Sequence, residues 1–112
     1  MIKSVTVTIN GKPQSMAFNI KRLARFEQYI GKSLFFVMSS GGILKSMDIN
    51  FTVAGIATAL DKEMTMEEAA DLVQAHCDGG GLLDDLNDGI YRAIIASGLF
   101  VKNEDSASQG ND

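Results

Sequence analysis

Residues 4–18 read SVTVTINGKPQSMAF, and this stretch decides how the fold begins. From Ser4 to Ile9, branched apolar residues alternate with hydroxyl-bearing ones, which is the pattern of a strand with one buried face. Asn10-Gly11 follows at once, and this dipeptide favours the positive φ angles of a tight hairpin turn, which Lys12-Pro13 is expected to extend. Residues 14–18 can return as a second strand. The sequence therefore predicts an N-terminal β-hairpin.

Helical signals occupy most of the chain after the hairpin. Asn19 is placed to cap a helix over residues 20–30, and Gly31 is a residue type that commonly ends one. The other predicted helices are 34–38 after Ser33, a helix from Asp48 or Asn50 to Leu60, a helix that Thr65 opens with a capping box and that runs to about Cys77, and a last helix over 82–100.

These elements predict a mainly helical α+β fold, with an N-terminal β-hairpin followed by a compact bundle of four to five helices. We expect one domain over residues 1–101, because 112 residues suffice for a single core. Residues 102–112 lack large apolar side chains and are expected to form a disordered polar tail.

The first predicted helix has two contrasting sides. Its apolar arc, which we expect to face the core, holds Ile20, Leu23, Ala24, Phe26 and Ile30. Glu27 projects into that arc, so its carboxylate should find a backbone or cationic partner or lie at the rim of the core. The other side is basic and carries Lys21, Arg22 and Arg25, with Tyr29 among them and Lys32 just beyond.

Charge is distributed unevenly along the chain, whose formal net charge is −4. Residues 1–50 carry seven Lys and Arg against two acidic residues, whereas residues 51–112 carry three against twelve. Regions of opposite sign can attract each other within one fold or can attract a second copy of the chain. A homo-oligomer is therefore one expectation.

Other features restrict the functional class. Cys77 is the only cysteine, so no intramolecular disulfide can form, and a reducing cytoplasm is the expected location. His76-Cys77 cannot supply the four ligands of a structural zinc site, and we expect no cofactor. No apolar run approaches the roughly 18 residues of a membrane span, and no secretory signal pattern is present, so we expect no membrane partner.

Two functional alternatives remain on the residues alone. We expect no enzyme, because the single His offers no Ser-His-acid set to test, although folding can still bring a pair of carboxylates together. A small nucleic-acid-binding regulator would use the basic helix around Arg22 and Arg25 to neutralise phosphates. The acidic overall charge and the lack of a reading motif argue against nucleic acid as a partner.

The order of elements resembles a known family. A strand ends in Ile9-Asn10-Gly11-Lys12-Pro13, a helix carries Leu23-Ala24-Arg25-Phe26-Glu27, and an apolar helix over 51–60 precedes Thr65-Met66-Glu67-Glu68-Ala69. Over residues 4–100 this order is similar to that of the small tail assembly chaperones of tailed bacteriophages, which also occur in prophages and gene transfer agents. The resemblance implies a helical, non-enzymatic protein of the host bacterial cytoplasm that binds the tape measure protein and recruits tail tube subunits to it.

A chaperone for a long helical client needs exposed apolar surface, and flexible Met and Phe side chains suit such surfaces. The candidate partner-binding residues are the large apolar ones near predicted helix ends and loops, namely Phe35, Phe36, Met38, Met47, Met64 and Met66. The alternative is that most of them belong to the core, where large apolar residues are usually found.

Overall fold

The computed structural model describes residues 3–38 and 48–100. Within these ranges, strands β1 (Ser4–Ile9) and β2 (Lys12–Ala17) precede five helices, which are α1 (Ile20–Ile30), α2 (Leu34–Met38), α3 (Ile49–Ala59), α4 (Met66–Asp78) and α5 (Leu83–Ala96). The predicted hairpin and helical bundle are confirmed. Met47 and the predicted tail over 102–112 lie outside the described residues. No helix in the described ranges is both long enough and apolar enough to cross a membrane.

The hairpin is antiparallel, with Ile9 opposite Lys12. Asn10 and Gly11 have φ angles of 51° and 79°, as a type I′ turn requires of both central residues. Because this turn uses only two residues, β2 begins at Lys12, two residues earlier than predicted. The apolar face of the hairpin, including Val7, packs against α5 and is buried.

Helix α3 lies at the centre of the molecule. Every residue from Phe51 to Ala59 is buried, because α1, α4 and α5 all pack against it. A helix that is apolar on all sides is stable only when it is surrounded in this way. The Thr52 hydroxyl donates to Asn87 Oδ1 at 2.6 Å and the Thr58 hydroxyl donates to the Ala54 carbonyl at 2.8 Å, so both buried threonines are hydrogen-bonded.

Small residues let the elements approach closely. A Cβ at Gly55 would overlap the side chain of Ile90 on α5, and a Cβ at Gly89 on α5 would overlap the side chain of Val7 on β1. The two glycines therefore set the distance of α5 from α3 on one side and from the hairpin on the other.

The last helix is shorter than predicted. Helix α5 ends at Ala96 and not at Phe100. The Ser97 hydroxyl donates to the Ile94 carbonyl at 2.6 Å, and Gly98 adopts a φ of 71° that turns the chain away from the helix axis. The side of α5 that faces the core carries Leu86, Ile90 and Ile94, which are fully buried.

Replacing Gly89 with Ala is expected to lower the free energy of unfolding by about 1–3 kcal/mol, since the added methyl group overlaps Val7. This loss should exceed the gain in helix propensity of about 1 kcal/mol. Urea denaturation measures the effect. The double variant Gly89→Ala, Val7→Ala removes the overlapping atoms. Its loss in free energy of unfolding should therefore be smaller than the summed losses of the two single variants. Strict additivity would contradict the proposed close contact.

The N-cap of α3 predicts a pH dependence of stability. The pKa of Asp48 is lowered from its ordinary 3.8, mainly because its carboxylate accepts the Phe51 backbone N–H at 2.8 Å and also because Lys32 Nζ lies 3.2 Å away. A lowered folded-state pKa contributes stability above pH 3.8 that is lost as the pH falls through the lowered value.

Asp48→Asn keeps a capping oxygen but removes this charge. We expect it to be less stable than the natural chain at neutral pH, with the difference shrinking as the pH is lowered. Thermal unfolding across acidic pH measures both curves. A difference that stays constant with pH would show that the ionised form contributes nothing to the fold.

Candidate functional site

An apolar groove of about 210 Å³ lies between α1, α2 and the segment that follows α5. We call it the α1–α2 groove. Its lining residues are Ile20, Leu23, Ala24, Glu27, Leu34, Phe35, Leu99 and Phe100. Leu23 and Leu34 are buried at its floor, whereas Ile20 and Phe35 are 68% and 71% exposed at its walls. Among the described residues that line the groove, Glu27 is the only charged one.

Helix α1 presents apolar side chains in two directions. Leu23 and Phe26 point into the core, where the Phe26 ring stacks on Phe18 with the ring centroids 5.5 Å apart. Ile20 and Ala24 belong to the same predicted arc but are exposed. The expectation that the whole arc faces the core is therefore wrong for these two residues, because the arc is wider than the surface that α3 covers.

Helix α2 is held against α1 by Glu27. The Leu34 backbone N–H donates to Glu27 Oε2 at 2.8 Å, which supplies the backbone partner expected for this carboxylate. Ser33 Oγ accepts a longer bond of 3.4 Å from the Phe36 N–H at the start of this helix. With Leu34 and Val37 buried beneath, Phe35 and Phe36 point outward and are 71% and 58% exposed.

The far wall of the groove is the short segment after α5. The Phe35 and Phe100 rings meet edge to face, with centroids 5.1 Å apart. Leu99 beside them is 45% exposed, and its N–H donates to Ser97 Oγ at 3.3 Å. The turn at Gly98 therefore brings Leu99 and Phe100 to the groove, where a straight continuation of α5 would not.

The structure separates the predicted partner-binding residues. Phe35 lines the α1–α2 groove and Phe36 is exposed beside it, whereas Met38 is half-buried against the core. Met64 and Met66 are also half-buried against the core, and Met64 lines a different, polar depression with Arg25 and Glu68. Met47 is outside the described residues.

Of the eight residues that line the groove, sequence reasoning identified only Phe35 as a partner-binding residue. Ile20, Leu23 and Ala24 were assigned to the core, and Leu99 and Phe100 were assigned to a helix. The width of the apolar arc on an 11-residue helix was the available signal. It spans more of the helix circumference than contact with one neighbouring helix covers.

The predicted basic face is largely engaged within the chain. Arg22 donates to the Ala17 carbonyl at 2.8 Å and the Ala59 carbonyl at 3.3 Å, and it also lies 3.7 Å from Asp61. The Arg25 guanidinium lies 5.8 Å from the centroid of the Tyr29 ring. Arg22 thus joins the start of α1 to the end of α3, a structural role that competes with contact to phosphate.

His76 links the hairpin turn to the α4–α5 connection. Its Nδ1 accepts the Asn10 backbone N–H at 2.9 Å, and its Nε2 lies 3.3 Å from Asp85 Oδ2. Both ring nitrogens of His76 therefore have partners within the chain. The pKa of Asp85 is lowered, first because its carboxylate accepts the Leu82 N–H and then because of His76. Within the described ranges, no three His, Cys, Asp or Glu side chains converge as metal ligands.

The chain matches no protein-family model, no curated protein and no solved structure.

The bond from Leu34 to Glu27 predicts that Glu27 positions α2. Replacing Glu27 with Ala should lower the free energy of unfolding by about 1–2 kcal/mol, because the Leu34 N–H loses a charged acceptor. Amide hydrogen exchange at Leu34 should accelerate in the same variant. Gln28→Ala, an exposed position on the same helix, is the matched control and should leave exchange at Leu34 unchanged. Equal exchange rates in the natural chain and in Glu27→Ala would contradict the positioning role.

Proposed function

We propose that the chain is a non-enzymatic tail assembly chaperone whose α1–α2 groove binds the apolar face of a helix in the tape measure protein. The observation that carries the proposal is the exposure of Ile20 and Phe35 on either side of a groove with an apolar floor. Together with the order of the elements along the chain, this surface supports a protein that recruits tail tube subunits to a helical client.

The dimensions of the groove favour a protein side chain as its occupant. Its volume of about 210 Å³ is smaller than the roughly 300–1,000 Å³ of pockets that hold small molecules and cofactors. It is open along the exposed side of α1, where Ile20 and Ala24 are spaced four residues apart and form one ridge. A helix that places large apolar side chains on either side of this ridge would pack as helices do in other grooves.

Burial of the groove walls provides the driving force for binding. Apolar surface removed from water contributes about 25 cal/mol for each Å², and the aromatic ring of Phe35 is among the largest exposed apolar groups in the described residues. Glu27 at the groove also gives a client a fixed carboxylate, one oxygen of which already accepts the Leu34 N–H. A client with a Lys or Arg next to its apolar stripe would fit this arrangement.

Co-expression with the tape measure protein encoded in the same genome tests the proposal. We expect the client to become soluble and to co-purify with the natural chain. Ala24→Glu places a charge on the groove ridge and should reduce the recovered client about tenfold, because a carboxylate would be desolvated in the complex.

Ala70→Glu is the matched control, since Ala70 is an exposed alanine on α4 outside the groove. It should recover as much client as the natural chain. If the client stays insoluble with the natural chain, the chaperone proposal fails. If both variants recover the client equally, the α1–α2 groove is not the contact surface.

A further inference from the structure

The outer edge of β1 has backbone groups without partners in the described structure. Because a two-residue turn joins Ile9 to Lys12, these two residues exchange both backbone hydrogen bonds. The antiparallel ladder then alternates, so Val7 and Val5 also bond to β2 while Thr8, Thr6 and Ser4 form the non-bonded pairs. The N–H and C=O groups of Thr6 and Thr8 therefore point away from β2.

The opposite edge of the hairpin is protected. Pro13 lies opposite Thr8, so it occupies an outward-facing position of β2 and has no N–H to offer there. Further along β2, Met16 forms an antiparallel bridge with Leu60, which covers the end of this edge. Among the described residues, β1 has no equivalent proline or bridging segment.

A groove of about 430 Å³ runs beside the open edge of β1. Thr6, Val7 and Thr8 form one wall, and His76 with a polar face of α5 forms the other. That face presents Asp85, Asp88 and Arg92, whose spacings of three and four residues place them on one side of the helix. Asp85 and Asp88 are 52% and 66% exposed, and Arg92 Nε lies 2.9 Å from Asp88.

We propose that an extended segment of another protein, bearing Lys or Arg at alternate positions, adds to β1 as a third strand. Its backbone bonds to the outward groups of Thr6 and Thr8, in the manner of strand addition. Alternate side chains of the added strand would point toward α5. On that face of α5 the carboxylates of Asp85 and Asp88 outnumber the single guanidinium of Arg92. The rise of about 4.5 Å between Asp85 and Asp88 along the helix is within reach of two Lys side chains spaced about 6.8 Å apart on a strand.

A second copy of the chain is a poorer occupant of this groove. The side chains of β1 are apolar or hydroxyl-bearing from Ser4 to Ile9, and β2 carries a single cation at Lys12. Neither strand offers cations at alternate positions to face Asp85 and Asp88. The described strands of the chain therefore lack the charge pattern that this groove favours.

The test uses the full chain and a fluorescent synthetic peptide in which Lys alternates with Val, together with the same peptide carrying Glu in place of Lys. Fluorescence anisotropy gives the Kd, and amide hydrogen exchange reports on Thr6 and Thr8. We expect the Lys peptide to bind, the Glu peptide to bind at least about tenfold more weakly, and the amides of Thr6 and Thr8 to exchange more slowly in the complex.

Thr6→Pro removes an outward N–H without removing a bond to β2, and Thr6→Ala is its matched control. We expect Thr6→Pro to weaken binding of the Lys peptide about tenfold and Thr6→Ala to leave it unchanged. Asp88→Lys gives a second measurement that does not alter the strand. It should weaken binding of the Lys peptide and strengthen binding of the Glu peptide.

Three outcomes would overturn the proposal. The first is no binding of the Lys peptide to the natural chain. The second is binding that neither slows exchange at Thr6 and Thr8 nor responds to Thr6→Pro, which would show contact through charge alone. The third is self-association that Thr6→Pro abolishes, which would assign the β1 edge to a second copy. None of these outcomes changes how much tape measure protein the natural chain recovers or how Ala24→Glu affects that recovery. The two proposals therefore fail separately.

Discussion

The burial of α3 on all sides is the constraint on which the rest of the structure depends. A helix with no polar face requires neighbours around its whole circumference, and α1, α4 and α5 supply them. The small side chains of Ala54, Gly55 and Ala57 let these helices approach closely, while Phe51 fills the space next to α1. The hairpin covers α5 from the side away from α3, with Val7 against Gly89. The core is thus built in successive layers around one short helix.

Polar side chains complete this arrangement at the ends of the elements. His76 accepts a backbone N–H from Asn10, 66 residues away in sequence, and Arg22 bonds to the carbonyl of Ala59, 37 residues away. Buried backbone groups outside regular ladders need such partners, and each one fixes the position of two distant elements. Gly81 leaves space for this histidine, because a Cβ at that position would overlap the His76 ring. The single His of the sequence is therefore committed to holding the chain together, and Asp85 contributes by accepting the Leu82 N–H beside it.

Local signals predicted the elements well because their physical causes are local. Asn19, Asp48 and Thr65 each accept an N–H from the first turn of a helix, and Asn10-Gly11 makes the turn that its φ preferences favour. The groove was not predictable in the same way, since it depends on where α2 and the residues after α5 lie in space. Phe35 was chosen as a large apolar residue near a predicted helix end, and it is exposed because its short helix buries only Leu34 and Val37. Ile20 was assigned to the core, because periodicity alone does not show how much of an arc is covered. Met64 and Met66 were chosen by residue type, and their half-buried positions against the core are decided by packing.

The fold does not require the exposed apolar walls of the α1–α2 groove or the open outer edge of β1. Phe35 and Ile20 are exposed at 71% and 68%, so polar residues in their places would leave the core intact. The outer edge of β1 could carry a proline as β2 does, without losing a hairpin bond. The two surfaces would bind by different forces, because the α1–α2 groove gains from removing apolar area from water while the β1 edge gains from backbone hydrogen bonds and charge. Added salt weakens the charge pairs at the β1 edge more than the apolar burial in the α1–α2 groove, so the steeper ionic-strength dependence of binding identifies a partner at the β1 edge.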